Sequence, residues 1–297
     1  MTTTDLTQAT SDARLVGLWL HGRSPHTQRA YGADILRFVS FHGIALDADS
    51  GQARLKTVTL GDLQAFADSL SDLAPASQAR MLSTVKSLLA FGHRLGYLPF
   101  DVGAALKLPT VKNRLAERIL PEDDVRRMID YEPNERNRAL IIFAYVTGAR
   151  VSEIAALTWA DLTTTSDGRA QVTIYGKGGK TRTVLLPPKL WPTIVSACWN
   201  PAWGPEVDMT LPVFRSARGG HLDPCYIRKL VRRAAHRAGI PGNVSPHWLR
   251  HAHASHALDH GCPIHLVQAT LGHVSVATTG RYLHARPTDS SGTYLEV

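Results

Sequence analysis

The sequence predicts a mainly α-helical protein with one small β-sheet, built as an all-helical N-terminal domain followed by a mixed α/β domain. Three observations carry this reading. Apolar residues recur at helical spacing through residues 1–105, β-branched runs cluster around a glycine-rich turn at 170–187, and helical periodicity resumes from 188 onwards. At 297 residues, two domains are the natural expectation.

Four short helices are expected in the first part. One lies at 11–21 and one at 60–71. Another opens at Ser24-Pro25-His26-Thr27, with Tyr31, Ile35, Phe38 and Val39 on one face. The last follows Pro75, with Met81, Val85, Leu88, Leu89 and Phe91 as its apolar set and Gly92 and Gly96 near its end. The stretch 106–118, with Pro109 and the basic residues Lys112, Arg114 and Arg118, reads as an interdomain linker. Its cations serve phosphate contact and plain solubility equally well. Pro121 followed by Glu122, Asp123 and Asp124 is a proline-and-acid helix start, so a second domain is placed at 119–297. There, helices are expected at 122–131, 137–157, 188–199, 224–238, 246–260, 263–270 and 275–284. AQVTIY (170–175) and the run at 181–187 form a strand–turn–strand hairpin around GKGGK.

Apolar residues make up 44% and charged residues 20% of the chain, an ordinary balance for a soluble globular protein. No stretch approaches the ~20 apolar residues that span a bilayer. The N-terminus lacks the basic and apolar regions of a secretory signal, so no membrane partner is expected. Cys198, Cys225 and Cys262 are odd in number and far apart, which argues against a structural disulfide and for a reducing, cytoplasmic setting. The net charge of +8 suits a polyanionic partner. Basic residues concentrate in YIRKLVRRAAHRAGI, where Ile227, Leu230, Val231 and Ala234 form an apolar seam. Arg228, Lys229, Arg232 and Arg233 are then left on an outer face, a solvated surface or a face suited to DNA phosphates.

Four segments carry chemistry: TGARVSEI (147–154), YGKGGKTR (175–182), HWLRH (247–251) and LGHVSVATTGRY (271–282). Breaking a phosphodiester without water needs a nucleophile, neutralisation of charge on the equatorial oxygens, and a proton for the leaving alkoxide. Arg150 and Arg250 suit the second task, because a guanidinium binds two phosphate oxygens at once and stays protonated. Lys177, in the glycine-rich turn, is a candidate proton donor, with Lys180 its rival three residues on. His247 lies three residues before Arg250, on the same helical face, and can accept or relay a tyrosine proton. His273 is a candidate phosphate donor, and Tyr282 a nucleophile able to stay covalently attached. Residues 247–265 hold six histidines, His247, His251, His253, His256, His260 and His265. The pairs His247/His251 and His256/His260 have the spacing zinc helices use. No HExxH motif or nearby third ligand accompanies them, so no metal and no other cofactor is expected.

The order and spacing of these six residues resemble the tyrosine recombinases, the lambda-integrase or Xer family, over roughly 24–285. The resemblance matches Arg150, Lys177, His247, Arg250, His273 and Tyr282 to the family's catalytic positions. It favours the first lysine of GKGGK, and gives Glu153 an acidic family position that orients Arg150. His251 and His256 also recur in the family pattern, whereas His253 stands where relatives carry an aromatic. Ser24, Thr27, Tyr31 and Phe38 resemble the family's SAM-like core-binding domain. The implied activity is site-specific DNA recombination through a 3′-phosphotyrosine and a Holliday junction, without ATP or metal. The implied assembly is a homotetramer on synapsed double-stranded DNA with paired inverted half-sites. The length implies a simple Xer- or Cre-like layout without an arm-binding domain. A type IB topoisomerase-like strand transferase and a non-catalytic DNA-binding module are the alternatives. Beyond Tyr282, Pro287 and Gly292 break any continuous helix, and Tyr294, Leu295 and Val297 make a short apolar end. That end is either a frayed terminus or an anchor for a neighbouring protomer, as the family's C-terminal segments are.

Overall fold

The computed structural model describes residues 9–44, 46, 53–112, 115–176, 179–200, 208–273, 275–280 and 282. Lys177 and the tail 283–297, with the apolar end expected there, lie outside the described residues. The chain divides into two compact units, Met1–Lys112 and Asn113–Val297.

The first unit holds α1 (Asp12–Leu20), α2 (Pro25–Phe41), α3 (Leu60–Asp68) and α4 (Pro75–Arg94). Each start has a local cause. Ser11 and Ser24 accept the backbone N–H three residues on, Thr59 and Asp62 form a reciprocal capping box, and Pro25 and Pro75 open their helices. Leu15, Ile35, Phe38, Leu63, Phe66, Val85, Leu88 and Leu89 fill the core. Tyr31 is only half-buried and stacks on Trp19 with ring centroids 5.3 Å apart, and the Arg23 guanidinium lies over both rings. Two buried acids are satisfied across the bundle. Asp12 accepts from the Leu55 N–H and the Tyr97 hydroxyl, and Asp34 from Arg80 and Thr84.

The second unit holds α5 (Glu122–Asp130), α6 (Glu135–Thr147), α7 (Val151–Ala156), α8 (Leu190–Cys198), α9 (Pro224–Arg237), α10 (Pro246–Asp259), α11 (Ile264–Leu271) and α12 (Val276–Gly280). Its sheet is β1 (Leu162–Thr164), β2 (Ala170–Tyr175) and β3 (Thr181–Leu185), antiparallel in that order. Ala170, Val172 and Ile174 alternate inward along β2. They meet Leu140, Phe143, Ile154, Trp159, Ile194, Phe214, Val231 and Leu249 in one core.

Three differences from the sequence reading matter. The helix expected at 137–157 is two helices, because Gly148 ends α6 in the left-handed region at φ 57°. A Cβ there would sit 2.5 Å from the Leu271 side chain, so the break requires glycine. The sheet has a third strand, β1, whose three residues are too short to show alternation. The helix expected at 275–284 is described only as Val276–Gly280, with Tyr282 following in a turn whose N–H donates to the Thr279 carbonyl.

Candidate active site

The helix break at Gly148 puts Arg150 at the start of α7, where its backbone N–H donates to Glu153 at 2.7 Å and its guanidinium to the same carboxylate at 2.9 Å. Glu153 is buried and shared. From β3, Arg182 donates to both carboxylate oxygens at 2.7 and 3.1 Å, and its Nε donates to the Thr270 carbonyl at 2.6 Å. One carboxylate therefore fixes the helix start, aligns Arg150, and ties strand β3 to the chain entering His273. Burial alone would raise the Glu153 carboxyl, but hydrogen bonds from Arg182 and Arg150 override it and hold it below its usual value of 4.5.

Arg250, on α10, is only 5% exposed. It donates to the carbonyl of Gly148, at the helix break, and to that of Leu271, 2.7 Å away at the end of α11. The same guanidinium thus gathers the segments that precede Arg150 and His273. Burial, then the charges of Arg150 and Arg182, push Arg250 down to about 10. His273 is pushed to about 4 by burial and then by Arg250, Arg150 and Arg182. His247 is lowered by burial and by Arg250, Arg150 and Arg228. Arg150 and Arg250 thus act on both His247 and His273, which draws four of the six expected residues into one charged neighbourhood. Around them, two guanidiniums, Arg150 and Arg182, share the Glu153 carboxylate while Arg250 is held by backbone carbonyls, and three cations so gathered are complementary to a phosphate. His273 is oriented by a 2.9 Å hydrogen bond between its Nδ1 and the Thr279 hydroxyl.

Arg150 and His273 line an open cleft of about 540 Å³ with Gly176, Lys180, Thr181, Arg182, Ala269 and Gly272. Lys177 is outside the described residues, but its neighbour Gly176 and its rival Lys180 both belong to this cleft. Tyr282 is 6% exposed and packs among Ile119, Ala254, Val267 and Leu271. Its hydroxyl meets an imidazole at 2.8 Å, and that imidazole is Nδ1 of His251, whereas the spacing argument pointed to His247. His247 and His251 have ring centroids 6.5 Å apart. Among the described residues, no three His, Cys, Asp or Glu side chains are grouped as metal ligands.

On α9, Ile227, Leu230, Val231 and Ala234 are buried while Arg228, Lys229, Arg232 and Arg233 are exposed. Burial of the three large aliphatics contributes roughly 1.5–3 kcal/mol each, which holds the basic face outward. Arg228 and Arg232 line a second cleft, of about 580 Å³, with Arg118, His247 and His251. His253, whose role the sequence left open, packs under the helix break, its ring 3.2 Å from where a Gly148 Cβ would be. Burial pushes it to about 4. The sequence reading missed Arg182. Its one local signal is a charge at a half-buried strand position, opposite Ile174.

Glu153→Gln is expected to destabilise the second unit by about 3–5 kcal/mol, because it leaves the nearly buried Arg182 charge without its counter-ion. The folded carboxyl titrates below its unfolded value, so its stabilisation is present above about pH 4.5 and is lost as pH falls through the folded value. Urea melts from pH 7 to pH 3 check both points. The stability difference between wild type and variant should shrink on acidification.

Residues 118–289 match the Phage integrase family, and residues 16–96 match the Phage integrase, N-terminal SAM-like domain. The chain is 32% identical to Tyrosine recombinase XerC of Rhodospirillum centenum, over 90% of this chain and 80% of that protein. It is 33% identical to Tyrosine recombinase XerD of Mycobacterium leprae, over 86% of each. A lambda integrase tetramer bound to a Holliday junction shares the fold, with a TM-score of 0.71 at 17% identity, covering 94% of this chain and 77% of that one. A mainly helical fold with a small antiparallel sheet, a SAM-like N-terminal region and 30%-level identity to Xer proteins over most of the chain agree: the chain belongs to the phage integrase family of tyrosine recombinases, the site-specific enzymes that break and rejoin DNA.

Proposed function

We propose that this chain recombines DNA through Tyr282, with Arg150 and Arg250 clamping the scissile phosphate, His273 donating to it, and His247 moving protons beside it. Tyr282 attacks phosphorus and leaves a 3′-phosphotyrosine. Lys177 protonates the departing 5′ oxygen. A 5′ hydroxyl from the partner duplex then displaces the tyrosine, and a second round resolves the Holliday junction. The bond energy is kept in the phosphotyrosine, so the cycle runs without ATP or metal. Residues 1–105 form the core-binding domain, 106–118 the linker and 119–297 the catalytic domain. Arg228, Lys229, Arg232 and Arg233 meet DNA phosphates, and four protomers assemble on two synapsed sites made of paired inverted half-sites. The three cysteines are unpaired, which suits a reducing cytoplasm.

The observation that carries this reading is that Arg150 and His273 line one cleft while the buried Arg250 bonds the Gly148 and Leu271 carbonyls that lead into those two residues. The tetramer rests on the structural likeness to the lambda integrase tetramer. A plasmid bearing two recombination sites, incubated with the protein in excess EDTA, is expected to give recombinant circles and trapped four-way junctions. Relaxation of a one-site plasmid without recombinants would select the type IB topoisomerase reading. Loss of activity on chelation would return the histidines to consideration as metal ligands.

A further inference from the structure

Resting on the assignment of Tyr282 as nucleophile, we infer that His251 is the group that takes the tyrosine's proton when it attacks DNA. The contact is direct, since the Tyr282 hydroxyl lies 2.8 Å from His251 Nδ1. The inference assigns His251 the tautomer that carries its hydrogen on Nε2, in which Nδ1 accepts from the Tyr282 Oη–H and is free to take its proton. The position of His251 is as informative as the bond. Its ring touches the buried tyrosine on one side, and on the other lines the basic cleft with Arg118, Arg228, Arg232 and His247. It is the side chain between the stowed nucleophile and the surface that would hold phosphates. His247, one helical turn away, is the next imidazole along the same face.

The chemistry balances. As Oη forms its bond to phosphorus, the Oη–H bond breaks and the proton moves to the Nδ1 lone pair, while the P–O5′ bond breaks and the 5′ oxygen takes a proton from Lys177. Rejoining reverses both transfers, so each residue regains its starting charge. In the free protein, burial and then the charges of His247, Arg118 and Arg250 hold His251 down at about 4, a weak base. Phosphates bound at Arg118, Arg228 and Arg232 would offset the surrounding positive charge and strengthen the base as DNA docks. The tyrosine is thus activated by the substrate it is to cut.

The test separates proton transfer from positioning. Glutamine can accept the tyrosine's hydrogen bond but cannot carry its proton. His251→Gln is expected to bind a half-site normally and to form the covalent adduct on a nicked suicide substrate about 10²–10⁴-fold more slowly. Replacing Tyr282 with a fluorinated tyrosine, whose phenol ionises more readily, should recover most of that loss in His251→Gln and change the wild type little. In His251→Ala, free imidazole in the buffer should likewise restore cleavage. Adduct formation by His251→Gln at the wild-type rate would overturn the inference, as would a defect that neither fluorotyrosine nor imidazole relieves. An adduct that persists in Tyr282→Phe would overturn the nucleophile assignment itself, and the inference with it.

Discussion

Tyr282→Phe is expected to abolish the covalent protein–DNA adduct while leaving half-site binding intact. The substitution removes one oxygen. The ring keeps its packing against Ile119, Ala254, Val267 and Leu271, so the buried cluster that anchors this segment is preserved. The hydrogen bond to His251 is lost, and that half-buried ring can turn to water in the cleft it lines. The effect on stability should therefore stay near that of a typical single hydrogen bond, about 1 kcal/mol. The effect on chemistry has no such limit, because a phenyl ring has no lone pair to offer phosphorus. Loss of a nucleophile commonly costs on the order of 10⁶-fold in rate, which places the variant below detection. Incubation with a suicide substrate, denaturing gels and a parallel gel shift measure both quantities. An adduct mapped to Tyr294 would move the nucleophile into the tail.

Lys177→Ala and Arg150→Ala should both slow cleavage, but for different reasons that one substrate separates. Lys177→Ala removes a proton donor and should cost about 10²–10⁴-fold on an ordinary substrate. A 5′-bridging phosphorothiolate leaves without a proton, so this variant should recover most of its rate on it. Arg150→Ala removes charge stabilisation at the phosphate, worth about 10²–10³-fold, and should remain slow on either substrate. Lys180→Ala tests the rival lysine, because both the turn residue Gly176 and Lys180 border the cleft that holds Arg150. If Lys180→Ala is the variant rescued, the roles of the two lysines exchange. Equal rescue of Lys177→Ala and Arg150→Ala would remove the division between acid and clamp.

Much of this protein was legible in one dimension because the relevant physics is local. The apolar seam of α9 and its four exposed cations follow from helical spacing alone, as does the sharing of one face by His247 and Arg250. The proline-and-acid start at 121–124 and the capped start at Ser24 were equally readable, since a helix end is satisfied by its nearest residues. The break in the helix expected at 137–157 was harder. Gly148 can sit inside a helix at modest cost, and what makes glycine obligatory at this left-handed helix end is the Leu271 side chain, more than a hundred residues away.

By itself the sequence determined which chemistry the chain carries, because an arginine, a lysine, two histidines with a second arginine, and a tyrosine in that order fit phosphodiester transfer. It could not determine which of these side chains meet. His247 and His251 lie four residues apart on α10, and the place where the chain returns after α12 decides that the Tyr282 hydroxyl lands on the second. Arg182 looks like any strand cation until the pairing of β3 with β2 turns it onto Glu153, twenty-nine residues back in the chain. Burial is likewise a tertiary property, and burial depresses His251 and His273 to about 4 and Arg250 to about 10. Spacing along a helix is set by covalent geometry and so is written in the sequence. Contact between distant segments is set by packing of the core, and charge tuning follows from that packing.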